Sequence, residues 1–331
     1  MVKRRSLAIS ASSLPARMST QRALPRVLCI LGPTASGKTD LGIALAKRFD
    51  GEVINADARQ VYRYFDIGTG KPEGGEHRVR EKHRLFIVED VPHHLMDFLP
   101  PNKICTVAQW QKEARRCAKD ILSRGRLPIV VGGTGLYIQA LIDNYKIPSV
   151  APQNAYRRAM DTKTLEELVA LLHQIDPEAS KVVDLRNRRR VLRALEVITF
   201  TGKPFSYLRA KAKPIMNACL IGIARTREEL YARIEGALDN MMQRGWVEEV
   251  KKLHKRGIPW DAPAMTSIGY RELAAHVRGE LSLEEATEKI KRATRQYAKR
   301  QVTWFKRDPR IHWVKDKKEA EEIVKEWMGV A

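Results

Sequence analysis

The sequence lacks the features typical of membrane-embedded, disulfide-rich and zinc-binding proteins. It has no run of about 18 apolar residues, although 44% of its 331 residues are hydrophobic, an ordinary share for a globular protein. Its four cysteines lie far apart, with no C-x-x-C pair and no zinc-ligand spacing. These absences predict a cytoplasmic protein with reduced thiols and no membrane partner.

Acidic residues are missing from the first 26 residues, which contain several arginines and serines and no periodic apolar stripe. This composition fits a disordered basic leader. An organellar transit peptide and a wrongly assigned start, with Met18 as the true first residue, are the alternatives. In each case we place residues 1–26 outside the fold.

Acidic residues are also outnumbered in the whole chain, with 39 Asp and Glu against 60 Lys and Arg, which gives a net charge of +21. Such an excess favours a polyanionic partner larger than a metabolite, and a generally basic enzyme is the alternative. The basic residues concentrate in segments 146–215 and 289–310. This distribution favours RNA.

The segment "LGPTASGKT" (31–39) has the spacing G-x-x-x-x-G-K-T. Its glycines let backbone N–H groups converge on phosphate oxygens, Lys38 adds a positive charge, and Thr39 can hold Mg²⁺. Such loops usually belong to ATP-binding kinases and nucleotide triphosphatases. The predicted phosphate-binding residues are Gly32, Pro33, Thr34, Ala35, Ser36, Gly37, Lys38 and Thr39.

The surrounding pattern predicts an α/β fold, namely a P-loop NTPase-like doubly wound parallel sheet with an inserted all-helical domain. Apolar runs alternate with helices. We predict strands at 26–32, 52–57, 127–135 and 218–225, with helices at 38–49 and 106–124. Residues 146–215 read as helical and basic, so we predict a core of 27–145 and 216–331 with C-terminal helices, interrupted by this insertion.

The strand at 127–131 runs into Gly132, Gly133 and Thr134, where a kinase or ATPase of this class usually has an Asp that helps to hold magnesium. Asp57 is the nearest carboxylate at a predicted strand end. At the phosphate loop it could accept a proton from a nucleophile. Kinases use similar geometry, so this feature alone leaves phosphoryl transfer open.

Seven segments in order narrow the choice: "GPTASGKT", "NADARQVYRYFDIGTGKP", "HHLMD", "GGTGLY", "RRRVLRALEV", "SIGYRE" and "RQYAKRQVTWF". In this combination the chain resembles the tRNA dimethylallyltransferase family, also called isopentenyl-tRNA transferases, over roughly residues 27–315. The resemblance implies prenyl transfer from dimethylallyl diphosphate to N6 of the adenosine 3′ of the anticodon (position 37), with Mg²⁺ as cofactor. It implies catalytic roles for Asp57, Lys38, Thr134 and Arg227, with Arg225 as the alternative to Arg227.

The same resemblance implies that the insertion and the C-terminal helices contact the tRNA anticodon stem-loop. The implied tRNA-binding residues are Asp57, Ala58, Arg59, Gln60, Thr134, Arg157 (or Arg158), Arg189, Arg190, Val191, Leu192, Arg193, Arg295 and Arg300. The chain departs from the usual family segment "SADSMQVY" at Ala58 and Arg59, and Arg59 adds a positive charge beside the expected base.

Three other functions remain as competitors: a small-molecule kinase, an adenylate isopentenyltransferase acting on free nucleotides, and a non-catalytic RNA-binding module. The basic segments favour tRNA over the first two, and a complete phosphate loop with an aligned Asp would be idle in the third. His93 and His94 lack a third ligand at metal-binding spacing, so we interpret them as structural. We expect a monomer.

Overall fold

The structure, a computed structural model, describes residues 24–80, 83–148, 150–208 and 213–330. The predicted leader therefore lies outside the described residues, except for its last three. In the described ranges, no helix combines the length and apolarity needed to cross a membrane.

Eight strands of the described chain form one sheet in the order β3-β4-β5-β2-β6-β1-β7-β8. The strands are β1 (Arg26–Leu31), β2 (Gly51–Asn55), β3 (Glu76–Arg80), β4 (His83–Val88), β5 (Val91–His94), β6 (Leu127–Gly132), β7 (Asn217–Ile223) and β8 (Ile311–Val314). All neighbours from β5 to β8 pair in parallel, as predicted.

The other edge of the sheet differs from the predicted parallel arrangement, because β3–β4 and β4–β5 are antiparallel pairs. Strands β4 and β5 are joined through Glu89 and Asp90, whose φ angles are 48° and 65°. Two consecutive positive φ angles are typical of a tight type I′ hairpin turn. Glycine and asparagine usually mark such turns, and neither residue stands at these two positions.

The central strand β1 is apolar because both of its faces are covered. Its residues from Val27 to Leu31 are buried, and it pairs with β6 on one side and β7 on the other. Parallel strands covered by helices on both faces characteristically read as continuous apolar runs. This is why "RVLCIL" could be recognised from the sequence.

Twelve α-helices complete the described chain. They are α1 (Lys38–Arg48), α2 (Val107–Ser123), α3 (Gly135–Ile142), α4 (Asn154–Met160), α5 (Leu165–Ile175), α6 (Arg188–Thr201), α7 (Phe205–Leu208), α8 (Arg227–Gln243), α9 (Trp246–Lys255), α10 (Tyr270–Val277), α11 (Leu283–Phe305) and α12 (Lys317–Met328). Short 3₁₀ helices lie at Pro177–Lys181 and Pro263–Thr266.

The helices bury apolar side chains in four clusters. Helices α1 and α12 pack on one sheet face, and α2 and α3 pack on the other. Helices α8–α11 form a third cluster with the segment after β2. Helices α5 and α6 carry a fourth, separate cluster, and every regular element among the described residues of 146–215 is helical.

Capping boxes form at the start of two long helices. The Thr226 hydroxyl accepts a hydrogen bond from the Glu229 amide (3.1 Å), and the Ser282 hydroxyl accepts one from the Glu285 amide (3.0 Å). In both boxes the glutamate side chain accepts from the cap residue's own amide. These pairs satisfy amides that the first helical turn leaves free, and so fix where α8 and α11 begin.

Candidate active site

A cavity of about 1100 Å³ opens where the parallel strands end. The glycine-rich loop 32–39, the segment after β2 and the turn after β6 line one part of it, and α8 and α11 line another. Ligands of open α/β sheets bind at this edge, because the loops after neighbouring strands converge there.

The glycine-rich loop is held in a strained, compact form. Ala35 and Gly37 have φ angles of 60° and 96°. A Cβ atom at Gly32 would lie 2.8 Å from Oγ of the buried Ser36, so only glycine fits there without movement. The Lys38 ammonium donates to the Pro33 carbonyl (3.2 Å) across the loop.

Lys38 and Asp57 carry opposite charges and both line the cavity. Desolvation lowers the pKa of Lys38, and the negative charge of Asp57 opposes that shift. A bound diphosphate would favour the charged lysine in the same way, because an anion nearby stabilises an ammonium group. The loop is therefore suited to an anionic ligand.

Asp57 is fixed by local backbone hydrogen bonds immediately after β2. Its Oδ1 accepts from the amide of Arg59 (2.8 Å), and its own amide donates to the Asn55 side chain (3.1 Å). The Asn55 amide group also donates to the Leu95 carbonyl (3.0 Å). This arrangement leaves the second carboxylate oxygen of Asp57 to the cavity that Lys38 also lines.

The turn after β6 brings Thr134 to the same cavity. A Cβ at Gly132 would lie 2.2 Å from the Ala56 carbonyl, so the two strand ends approach as only glycine permits. The Thr134 hydroxyl accepts from the Ala58 amide (3.1 Å), and Tyr297 lines the same cavity. Burial, with the negative charge of Asp57, raises the pKa of the Tyr297 phenol.

The next two residues after Ala58 point in different directions. Gln60 donates to the carbonyl of Gly70 (2.8 Å), which ties the segment to the loop at 68–72. Arg59 reaches across to the 3₁₀ turn and donates to the Thr266 hydroxyl (3.2 Å). Both side chains line the cavity.

The structure does not bring Arg227 to the cavity. Its exposed side chain lies over the Tyr231 ring, 5.2 Å from the ring centroid, and the alternative, Arg225, donates to the Lys315 carbonyl (3.1 Å). The arginine of α8 that lines the cavity is Arg233, which donates to the Ala35 carbonyl in the glycine-rich loop (2.7 Å).

Sequence reasoning missed Arg233, although a signal was present. Arg233, Ala237 and Met241 are spaced i, i+4, i+8 and all line the cavity. They form a helix face beside the apolar stripe of Leu230 and Ile234, which is buried. That spacing places them on one side of α8.

The predicted RNA-binding residues of the insertion divide into two groups. Arg189 and Arg190 are exposed. Val191 is fully buried in the fourth cluster, which corrects its assignment as a contact residue, because its side chain cannot reach RNA. Leu192, which follows it, is half-buried.

Arg157 and Arg193 instead hold a buried carboxylate. Arg157 forms two hydrogen bonds of 2.9 Å with Glu196, and Arg193 and the Gln153 amide also donate to it. Burial alone would raise the pKa of Glu196, but these bonds outweigh it and lower the pKa to about 2. Their guanidinium groups therefore have a structural partner within the insertion.

The two predicted arginines of α11 also differ. Arg295 is ion-paired with Glu235 and lies over the Tyr231 ring. Arg300 is exposed and lines the cavity, with Tyr297 one turn before it. Arg300 is thus the better placed of the two to meet a ligand at the cavity rim.

The histidines have structural partners, as predicted. His93 Nδ1 donates to the Val91 carbonyl (2.9 Å), and burial lowers the pKa of His93 to about 4. His94 Nε2 donates to the buried Glu52 (2.7 Å). Across the described ranges, no group of three or more His, Cys, Asp or Glu side chains is arranged to hold a metal ion.

Two family models match the chain. The model described as IPP transferase matches residues 60–308, and the model described as isopentenyl transferase matches residues 25–93. The first covers most of the chain, from Gln60 to just beyond the end of α11. The chain therefore belongs to the IPP transferase family.

Relatives with assigned names agree with this membership. The tRNA dimethylallyltransferase of Anoxybacillus flavithermus is 43% identical over 290 residues, covering 87% of this chain and 89% of the relative. That of Carboxydothermus hydrogenoformans is 43% identical over 308 residues, covering 91% and 95%.

Solved structures share the fold. The tRNA isopentenylpyrophosphate transferase of Staphylococcus epidermidis is 36% identical, with a TM-score of 0.63 over 92% of this chain and 99% of that one. A eukaryotic dimethylallyltransferase that acts on tRNA is 29% identical, with a TM-score of 0.68 over 85% and 69%.

Proposed function

We propose that this chain transfers the dimethylallyl group of dimethylallyl diphosphate to N6 of the adenosine 3′ of the anticodon (position 37) in tRNA. The observation that carries the proposal is one cavity that joins a phosphate-type loop, Asp57 and the Thr134 turn in a member of this family. The donor's diphosphate occupies the loop, and the target base enters beside Asp57.

The donor side stabilises the leaving diphosphate. The loop amides, Lys38 and Arg233 supply positive charge and hydrogen-bond donors at the place where negative charge develops. Thr39 and the diphosphate oxygens would hold Mg²⁺, which neutralises further charge on the leaving group when bound. The residues fit this ion, because Mg²⁺ needs few protein ligands when substrate phosphates and water complete its shell.

The acceptor side activates an aromatic amine, which is a weak nucleophile. In the transfer step, the bond between the donor's C1 and its diphosphate oxygen breaks and a bond between N6 and C1 forms. The proton lost from N6 goes to the Asp57 carboxylate, and diphosphate leaves with the electron pair of the broken bond. Asp57 is thus the general base, and Thr134 positions the segment that carries it through the Ala58 amide.

The basic surface binds the tRNA anticodon stem-loop. The exposed residues Arg189 and Arg190 of the insertion and Arg300 at the cavity rim provide phosphate contacts. Such contacts strengthen binding without reading the base sequence. Reaching N6 requires the base to leave its stack and enter the cavity.

A transfer assay with alternative acceptors tests this function. Purified protein, Mg²⁺ and radiolabelled dimethylallyl diphosphate are mixed with either unmodified tRNA or AMP, and label in each acceptor is counted. We expect label in tRNA alone. Label in AMP would place the chain with the free-nucleotide transferases, and ATP turnover without label transfer would favour a kinase.

A further inference from the structure

The long helix α11 meets the turn after β6 along one stripe of side chains. Tyr297, Gln301 and Trp304 are spaced i, i+4, i+7, which places them on one helix face. Gln301 donates to the Gly133 carbonyl (2.9 Å), and Tyr297 lines the same cavity as Thr134. Helix α11 therefore covers the turn that carries Thr134.

Gly133 and Gly135 allow the close contact between this turn and α11. A Cβ at Gly133 would lie 2.2 Å from the Gln301 amide nitrogen, and a Cβ at Gly135 would lie 2.3 Å from the Trp304 ring. A side chain in either place would require Gln301 or Trp304 to move.

The other end of the Gln301 side chain holds the glycine-rich loop. Its carbonyl oxygen accepts from the amide of Thr34 (2.8 Å), and the residue is only 5% exposed. The Thr34 amide is thereby used to hold the loop rather than to bind a phosphate. One buried side chain links the loop and the Gly133 turn.

We propose that Gln301 is a positioning residue that fixes the distance between the diphosphate loop and the turn that carries Thr134. The inference rests on the proposed function, in which the donor lies on one side of this link and the target base on the other. Because the reacting atoms must meet at a defined distance, a loosened link affects the transfer rate more than the binding of tRNA.

Gln301→Met tests this role, because methionine has nearly the same length and keeps no hydrogen bond to either partner. Gln296→Met is the matched control, since Gln296 is an exposed residue of the same helix. For each protein we would measure inorganic pyrophosphate affinity with Mg²⁺, tRNA affinity, the single-turnover transfer rate with both substrates saturating, and the folded fraction at the assay temperature. Hydrogen exchange would be followed in peptides covering the two linked segments.

Gln301→Met is expected to exchange faster in both segments and to bind pyrophosphate about tenfold more weakly, because binding must then order the loop. Its transfer rate per folded molecule should fall about 100-fold, with tRNA affinity within about threefold of that of the unchanged protein. The control should match the unchanged protein.

An unchanged transfer rate per folded molecule would overturn the proposal, and so would unchanged exchange together with unchanged pyrophosphate affinity. If the unchanged protein itself transfers no label to tRNA, the proposed function fails. Pyrophosphate affinity and hydrogen exchange then still decide the role of Gln301.

Discussion

Replacing Asp57 with asparagine separates its chemical role from its structural one. The asparagine side chain keeps an oxygen that can accept from the Arg59 amide, as Asp57 Oδ1 does at 2.8 Å. The segment after β2 should therefore keep its shape. The substitution removes only the negative charge and the ability to take a proton.

The loss of a general base should lower the transfer rate by about 10²- to 10⁴-fold, equivalent to about 3–5 kcal/mol in the activation free energy. Pyrophosphate binding should be no weaker, because a negative charge near the ligand is removed. The free energy of unfolding should change by less than about 1 kcal/mol, since the local hydrogen bond is kept.

The assay is single-turnover transfer of labelled dimethylallyl groups to tRNA, with thermal unfolding followed by circular dichroism. Asp40→Asn is the matched control, because Asp40 lines the same cavity but is an exposed residue in the first turn of α1. Its rate should stay within about threefold of that of the unchanged protein. A rate for Asp57→Asn within tenfold of the unchanged protein would refute the assignment of Asp57 as the base.

Three further predictions follow from the charged groups. Glu196→Gln should destabilise the protein by up to about 3 kcal/mol at pH 7. Because the folded-state pKa of Glu196 is lowered to about 2, the difference in unfolding free energy between the two proteins, measured with urea, should shrink as the pH falls from 4.5 towards 2. A difference that stays constant over this pH range would contradict the prediction. Arg233→Ala should weaken pyrophosphate binding about 10- to 100-fold in calorimetric titrations. Arg227→Ala should weaken it about twofold at most. A larger loss of affinity in Arg227→Ala than in Arg233→Ala would restore Arg227 as the ligand. Arg300→Glu should raise the Michaelis constant for tRNA and leave pyrophosphate binding unchanged. The Michaelis constant should rise more in Arg300→Glu than in Arg295→Glu, and equal tRNA titrations of the two variants would refute this.

Strands covered on both faces could be predicted, and strands at the edges could not. Burial of both faces makes β1, β6 and β7 continuous apolar runs. Strand β3, "EHRVR", is short and charged. Strand β8 has two exposed residues among its four, so neither shows a distinctive pattern. Short half-exposed segments gain their strand conformation from pairing with neighbours rather than from their own composition.

The residues of the candidate site also divide into those that could be predicted from the sequence and those that could not. The loop with Lys38 and the segment with Asp57 are local, so their motifs can be read from consecutive residues. Arg233 and Gln301 reach the loop from helices almost 200 residues or more along the chain. Such contacts depend on how the helices pack, and the spacing of Arg233, Ala237 and Met241 shows only that they share one face of α8. The ion pairs of Arg157 and Arg193 with Glu196 were missed for the same reason.

The position of β1 between β6 and β7 has a consequence for synthesis of the protein. Because β7 follows the insertion, one side of β1 has no partner until the ribosome has made the whole helical segment, which takes roughly ten seconds at ordinary translation rates. During that time an apolar strand with free N–H and C=O groups is open to pairing with other chains. A diphosphate ligand cannot protect this intermediate, since Arg233 and Gln301 have not yet been translated. The unpaired edge of β1 is therefore a site of possible aggregation in the nascent chain until β7 emerges.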